Sequence, residues 1–176
     1  MDFCTVGQVK AWLKINSATD DELLQTLITQ TTEYIRSLMS RDLDSRDYVE
    51  TRDGNGANTL MVANWPMTAV AAVIVAGQTI PETEYLFDAL TITLLNGRIF
   101  TRGRKNINIS YTAGYEDVPA DLQRCCMEMV GKKYRERDRI GISSKTLAGE
   151  IVSYSQSDLT SEVKSVLRQY QRVAPV

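Results

Sequence analysis

The sequence contains no histidine among its 176 residues. This absence excludes Ser-His-Asp and Cys-His catalysis, histidine-based zinc sites and the usual general base near neutral pH. The three cysteines have no C-x-x-C spacing, and their odd number does not make a disulfide framework. We expect the adjacent Cys125 and Cys126 to be buried structural thiols, in a chain that folds in a reducing cytoplasm.

Other signatures are missing as well. No apolar run approaches the roughly 20 residues that span a bilayer, and the first residues do not form a signal peptide, so we expect no membrane association. The stretch 54–58 has Thr59 where a phosphate loop needs its third glycine, and 103–106 lacks the Ser or Thr of a Walker loop. The acidic pairs Asp20-Asp21 and Glu116-Asp117 stand at predicted helix starts, where they favour the helix dipole. The sequence argues against an enzyme, and we expect no cofactor, no metal and no catalytic residue; a small carboxylate hydrolase is a distant alternative.

Charge is unevenly spread along the chain, although the net charge is only −2. Residues 1–97 carry 6 Lys and Arg against 13 Asp and Glu, a net charge of −7. Residues 98–176 carry 14 against 9, a net charge of +5. This pattern predicts a molecule with two differently charged ends, which suits ordered assembly more than dedicated DNA binding.

Hydrophobic periodicity predicts an α+β protein of one domain, residues 1–176, with about four helices. Two helices fill 1–40. The first starts with a Thr5/Gln8 capping box and buries Val6, Val9, Trp12 and Leu13. The second starts with a capping box at 19–22, and its apolar face consists of Leu24, Leu27, Ile28, Thr31, Ile35, Leu38 and Met39.

The region 41–112 predicts about six short strands that form a mainly antiparallel insert between the second and third helices. Val, Ile, Thr and Tyr are frequent there, and turn signals interrupt them. The strongest hairpin signal is Asn96-Gly97, between 91–95 and 98–100, because a type I′ turn needs a positive φ at both central residues.

The central helix is predicted over 118–139. Val118-Pro119 starts it, since proline fits the first helical turn. Its apolar stripe consists of Leu122, Cys125, Cys126, Met129, Val130 and Tyr134, and we expect the chain to pack around this stripe. A flexible loop or a β-arm centred on 150–154 follows over 140–157, and a last helix is predicted over 158–172.

Three charged or apolar features are open to two interpretations. The basic helix end, with Lys132, Lys133, Arg135 and Arg137, is either a solvated end or a rim that faces nucleic acid or an acidic partner. The hairpin-flanking group Arg98, Arg102, Arg104 and Lys105 either contacts phosphate or protects strand edges from aggregation. The segment 140–156 either covers the core or is a docking arm, and the last helix has few obvious partners for its apolar face of Leu159, Val163, Val166, Leu167 and Tyr170.

Four motifs, in this order, resemble the head–tail connector (adaptor, or head-completion) proteins of tailed bacteriophages. The segment 5–15, TVGQVKAWLKI, is similar to the opening helix of that family. DDELL at 20–24 and TEYI at 32–35 are similar to its second helix. YTAGY at 111–115 followed by VPADL at 118–122 is similar to the start of its central helix. YRER at 134–137 with IG at 140–141 is similar to the end of that helix. Many members have a short hairpin between the second and third helices, whereas residues 41–112 intervene here.

The resemblance implies a function that the residues alone do not give. Family members form a ring of about twelve copies below the portal protein. They extend the DNA channel and offer a surface to a stopper or tail-completion protein, and DNA passes without sequence-specific binding. The implied location is the neck of the virion, assembled in the cytoplasm of a host bacterium by a phage or prophage. By the same resemblance the residues that dock on the portal are Ile151, Val152, Tyr154, Leu159, Val163, Val166, Leu167 and Tyr170. A tail-side completion protein of the neck and a nucleic-acid-binding module remain alternatives.

Overall fold

A computed structural model describes residues 1–137, 144–147, 150–153 and 159–171, the two middle stretches by their backbone. Its helices are α1 Val6–Leu13, α2 Asp21–Met39, α3 Ala120–Glu136 and α4 Ser161–Gln169. Between α2 and α3 lie β1 Arg46–Gly54, β2 Thr59–Met61, β3 Met67–Val75, β4 Gln78–Ile80, β5 Tyr85–Phe87, β6 Thr91–Leu94 and β7 Gly103–Ala113. Between α3 and α4 lie β8 Ser144–Leu147 and β9 Glu150–Ser153. The predicted class, α+β with a β insert between the second and third helices, is confirmed.

The chain divides into two compact units. Met1–Arg41 and Val118–Gln171 form a helical unit, and Asp42–Asp117 belong to a β unit. The helical unit is therefore built from both ends of the sequence, with the β unit inserted between α2 and α3. That the whole chain acts as one connector domain remains a prediction.

The first helix begins as predicted but buries less than expected. Thr5 Oγ1 accepts a hydrogen bond from Gln8 N at 3.3 Å, and Gln8 Oε1 accepts one from Thr5 N at 2.8 Å, which completes the capping box. Val9 is fully buried, but Trp12 is 51% exposed, so its predicted burial is wrong. In a helix of eight residues, Val9 turns inward while Trp12 lies at the edge of the covered face.

The second helix starts without the predicted capping box. Asp20 is its N-cap residue, yet the Asp20 side chain makes no capping hydrogen bond. Its carboxylate instead accepts a hydrogen bond from the Tyr134 hydroxyl on α3 and lies 4.0 Å from Arg137 NH2. The Asp20 side chain is thus engaged by donors at the end of α3 and not by the first turn of α2. The predicted apolar face is otherwise correct, and its fully buried members are Leu24, Ile28, Thr31, Ile35 and Met39, with Leu27 and Leu38 half-buried.

The central helix α3 packs against α1, α2 and α4. Its predicted stripe is confirmed, with Leu122, Cys125, Cys126, Met129 and Val130 buried and Tyr134 half-buried. The helix starts at Ala120, two residues after the predicted start at 118, since Pro119 keeps an extended ψ of 138° and serves as the N-cap. Gly131 permits the close approach of α1, because a Cβ atom there would lie 3.1 Å from Leu13 Cδ2.

The β unit consists of two antiparallel sheets that share one core. The larger sheet has the strand order β1-β7-β3-β4, and the smaller one β2-β6-β5. The eleven-residue β7 pairs with both β1 and β3 and alternates regularly, so that its inward side chains are buried. These inward residues are Ile107, Ile109, Tyr111 and Ala113, and the smaller sheet and its flanks add Leu60, Ile92, Leu94 and Phe100.

The predicted Asn96-Gly97 turn forms, but it does not join two paired strands. Asn96 and Gly97 have φ values of 54° and 72°, and Arg98 N donates to Leu95 O at 3.0 Å. Residues 98–100 are not a strand, so this part of the prediction is wrong. Phe100 is instead fully buried, and its N–H donates to Ala57 O, which draws the chain away from β6 before β7 begins in the other sheet.

A buried tyrosine on β7 ties β1 and the loop between β2 and β3 to the core of the β unit. The Tyr111 hydroxyl donates to Glu50 Oε2 at 2.7 Å and accepts a hydrogen bond from Asn64 N at 3.2 Å. The Tyr48 ring stacks on the Tyr111 ring at 5.7 Å between centroids. Burial, together with the hydrogen bond to Glu50, raises the pKa of Tyr111 to about 12.

We expect Tyr111→Phe to lower the free energy of unfolding by about 1–3 kcal/mol at pH 7, because Glu50 and the Asn64 N–H both lose a partner. Since the pKa of Tyr111 is higher in the folded than in the unfolded chain, the stabilisation is complete below pH 10 and is lost as the pH rises toward 12. The difference between wild type and variant should therefore narrow over that range in urea unfolding experiments.

Tyr48→Phe is the matched control, because it removes a hydroxyl from the stacked neighbour and leaves the ring in place. The role assigned to the Tyr111 hydroxyl would be contradicted if Tyr48→Phe lowered the free energy of unfolding as much as Tyr111→Phe does. It would also be contradicted if the effect of Tyr111→Phe on that free energy did not depend on pH.

Candidate assembly surfaces

An open groove lies on the helical unit between α1 and α3, with a volume of ≈ 490 Å³. It is lined by Trp12, Leu13, Glu128, Gly131, Lys132, Arg135 and Glu136. The groove combines an exposed indole with cations and carboxylates on neighbouring turns of α3. Such a mixture suits contact with an amphipathic protein surface, because the ring supplies apolar area and the charges set the orientation. We call it the Trp12 groove.

The basic end of α3 does not form one continuous rim. Lys132 and Arg135 line the Trp12 groove. Lys133 Nζ instead lies 5.6 Å from the centroid of the Tyr34 ring on α2. The Arg137 guanidinium lies 4.0 Å from the centroid of the Tyr134 ring, and Arg137 NH1 donates to Tyr134 O. Lys133 and Arg137 are therefore engaged within the helical unit itself.

The structure also divides the basic group of the β unit. Arg98 Nε lies 2.5 Å from Glu84 Oε2, which makes it an ion-paired side chain beside the smaller sheet. Arg102, Arg104 and Lys105 are exposed around the start of β7. Lys105 N donates to Asp53 Oδ1 at 2.6 Å and fixes the end of β1 beside them. We call Asp53, Arg102, Arg104 and Lys105 the β tip.

The two compact units divide the charged residues differently from the two halves of the sequence. Residues 42–117 contain 6 Lys and Arg against 10 Asp and Glu, a net charge of −4. Residues 1–41 and 118–171 contain 13 against 12, a net charge of +1. The acidic and basic halves of the sequence therefore do not coincide with the two compact units. The β tip is instead a small cationic site on an acidic unit.

The last helix has partners within the chain, so the expectation that it lacks them is wrong. Val163 and Leu167 are 1% and 3% exposed, and α4 packs on α2 and α3. Polar contacts with α3 hold both of its ends: Arg124 NH1 lies 3.0 Å from Glu162 Oε1, and the Tyr170 hydroxyl donates to Asp121 at 2.9 Å. Leu159, Val166 and Tyr170 are half-buried. An apolar stripe alone did not distinguish packing within the chain from docking on a partner.

The predicted β-arm is present in the part that the structure describes. Strands β8 and β9 pair antiparallel, with Val152 opposite Lys145 and Ile151 opposite Thr146. Among the described residues these two strands pair only with each other. Tyr154 lies outside the described residues. Docking of this hairpin and of α4 on a portal protein remains a prediction.

Several exposed apolar side chains were not singled out from the sequence. In the β unit, Val49 is 79% exposed, Leu86 63%, Ile99 49% and Phe87 41%. Successive side chains of a strand point to opposite faces. Tyr48 and Glu50 on β1 are half-buried, so Val49 between them faces outward, and the alternating pattern of this strand indicates its exposure. For Leu86 and Phe87, a three-residue strand carries too little periodicity to assign a face.

The described structure is thus an α+β fold that carries exposed apolar residues, a small cationic tip and an open groove, features that are typical of surfaces that contact other proteins. A family model of head completion proteins matches residues 2–173. The chain belongs to the head completion protein family. It is a structural virion protein, as the four motifs predicted.

Solved structures share the fold across nearly the whole chain. A chain in the neck of an empty GTA particle, computed with C6 symmetry, has a TM-score of 0.54 and 15% identity, covering 96% of this chain and 89% of that one. A chain in the virion of a native gene transfer agent (GTA) particle has a TM-score of 0.53 and 13% identity, again covering 96% of this chain and 89% of that one. A chain in the neck of a native GTA particle, computed with C12 symmetry, gives 0.52 and 14%, covering 96% and 88%. At these identities the likeness shows the fold, and it includes the β unit. No curated protein matches the chain.

We expect Leu167→Ala to lower the free energy of unfolding by about 2–5 kcal/mol, because it opens a cavity where α4 meets α2 and α3. Lys164→Ala, on the exposed face of the same helix, is the control and should change stability by less than about 0.5 kcal/mol. Urea unfolding followed by helical circular dichroism measures both. Equal stability of Leu167→Ala and wild type would show that α4 is a separable arm.

Proposed function

We propose that the chain forms a closed ring in the head–tail neck, below the portal protein, that extends the DNA channel and presents a surface to a stopper or tail-completion protein. The observation that carries this proposal is the family match over residues 2–173. The shared fold with chains of GTA necks computed with C6 and C12 symmetry supports the ring. We propose about twelve copies, with the whole chain acting as one connector domain.

A closed cyclic ring requires two different, mutually complementary surfaces on each copy. Each unit offers candidates. The helical unit has the Trp12 groove, and the β unit has the β tip and the exposed Val49, Leu86, Phe87 and Ile99. Burying such apolar side chains contributes about 25 cal/mol per Å², whereas exposed ion pairs contribute little to affinity and more to orientation. We therefore assign ring stability to the apolar residues and ring register to the cations.

DNA passes this protein, in our proposal, without sequence-specific binding. Arg98 is paired with Glu84, Arg137 lies beside Asp20, and Lys133 lies on the Tyr34 ring. These contacts reduce the positive charge available to phosphates, and the β unit that holds the β tip is acidic overall. A channel surface with few available cations favours the passage of DNA over its retention, since DNA affinity depends on the number of phosphates that are neutralised. The proposal includes no enzymatic step.

Native mass spectrometry across a range of protein concentrations tests the ring. We expect a closed assembly near twelve copies. Leu86→Asp should raise the protein concentration at which this assembly forms by at least tenfold, because a charge would then be buried at a subunit contact. Thr83→Asp, which adds the same charge at an exposed neighbouring site, should leave the assembly unchanged. Monomers at every concentration, with portal protein as well as without it, would contradict the ring, and a compact dimer would count against it.

A second experiment tests whether the β8–β9 hairpin contacts the portal protein. We expect the double variant Ile151→Ser with Val152→Ser to bind the portal protein of the same particle at least tenfold more weakly, with an unchanged melting temperature. Removing two apolar side chains from an interface is sufficient for such a loss. Lys145→Gln on the facing strand is the control. Undiminished binding of the double variant, measured by calorimetry, would remove the hairpin from the docking surface.

A further inference from the structure

Two of the three cysteines approach each other inside the helical unit. Cys4 Sγ, just before α1, lies 3.5 Å from Cys126 Sγ in the middle of α3. Both side chains are buried, with 4% and 0% exposed, and 122 positions separate them in sequence. A disulfide bond is about 2.05 Å long, so the two sulfur atoms need to approach by roughly 1.5 Å.

The N-terminal segment that carries Cys4 is held against α2 by one buried side chain and two hydrogen bonds. Phe3 is buried, its N–H donates to Thr32 Oγ1 at 3.1 Å, and Arg36 NH2 donates to Met1 O at 2.8 Å. These contacts dock the segment on α2, beside the Cys126 thiol. Cys4 stands before α1 and outside any helix or strand, so a shift of this size does not require α2 or α3 to move.

The two thiols differ in acidity. Their mutual hydrogen bond lowers the pKa of Cys4, against the opposing effects of burial and of Asp2 nearby. The same hydrogen bond, with burial, raises the pKa of Cys126. Cys4 therefore ionises first, and the thiolate is the reactive form. Burial raises the pKa of Cys125, and the structure gives it no thiol partner among the described side chains.

We propose that Cys4 and Cys126 are an oxidisable pair that closes into an intramolecular disulfide when the protein meets a peroxide. The Cys4 thiolate attacks one oxygen of hydrogen peroxide, the O–O bond breaks, and hydroxide leaves and takes up a proton as water. The sulfenic acid formed on Cys4 is then attacked by Cys126 sulfur, which loses its proton as the S–S bond forms and a second water leaves. Two thiols are oxidised by two electrons and one peroxide is reduced to two waters.

The disulfide would join the start of the chain to the helix on which the helical unit packs. It would close a loop that contains α1, α2 and the whole β unit, and long loops lose the most unfolded-state entropy when they are closed. A virion protein folds in a reducing cell and later meets oxygen and peroxides outside it. The pair would then add stability after assembly without disturbing folding. This inference is independent of the proposed ring.

The test treats the purified full chain with hydrogen peroxide and measures its intact mass and its disulfide-linked peptides without reductant. We expect wild type to lose the mass of two hydrogen atoms, to yield a Cys4–Cys126 peptide, and to return to its original mass with a thiol reductant. The melting temperature of the oxidised form should rise by about 5–10 °C.

Variants separate the pair from its neighbour. Cys125→Ser should oxidise as wild type does, whereas Cys4→Ser and Cys126→Ser should not lose two hydrogen atoms. A link that includes Cys125, a link between two copies, or addition of oxygen without a link would overturn the proposal. So would wild type that keeps its mass and all three thiols, a result that does not depend on whether any variant folds.

Discussion

The helical unit depends on one apolar stripe, the face of α3 from Leu122 to Val130, which no single neighbour covers. Helices α1, α2 and α4 each pack against it, so residues from both ends of the sequence enclose one helix. Gly131 sets how near α1 lies, and the contacts of Arg124 and Asp121 with α4 set where the last helix lies. Burial of the stripe supplies most of the stability, since the exposed ion pairs around it contribute little.

This arrangement explains how the chain contains a large insertion between α2 and α3. The first and last residues of the β unit lie side by side: Tyr115 N donates to Leu43 O at 2.8 Å, and Ser45 N donates to Tyr115 O at 3.0 Å. Gly114 makes the contact possible, with a φ of 117° and with space for no Cβ beside Asp44 O. An insertion whose ends meet adds little strain to the element it interrupts. The GTA chains include the same unit, since 96% of this chain is covered in each.

The sequence predicted those features of the fold that depend on interactions between residues close together in the chain. The capping box at Thr5, the stripe of α3 and the alternation of strands were visible, because each depends on residues a few positions apart. The contacts of Asp20 and the exposure of Trp12 were not visible in the sequence, because each depends on how α3 packs against α2 and α1. The partners of α4 were missed for the same reason. Phe100 shows the limit most clearly: its turn was correctly predicted, yet burial of one ring redirected the following strand into another sheet.

The candidate surfaces were harder to predict than the core, and the reason is physical. A residue that packs on its own chain and one that packs on a partner are both apolar, so a single sequence gives them the same signal. Val163 and Leu167 were assigned to a partner and lie within the chain, whereas Leu86 and Phe87 were not assigned to one and are exposed. A protein that works by surface contact leaves part of its apolar area uncovered in the monomer. The family motifs indicated the family without that signal, because they follow the order of the elements around α3 and do not depend on which apolar residues are exposed.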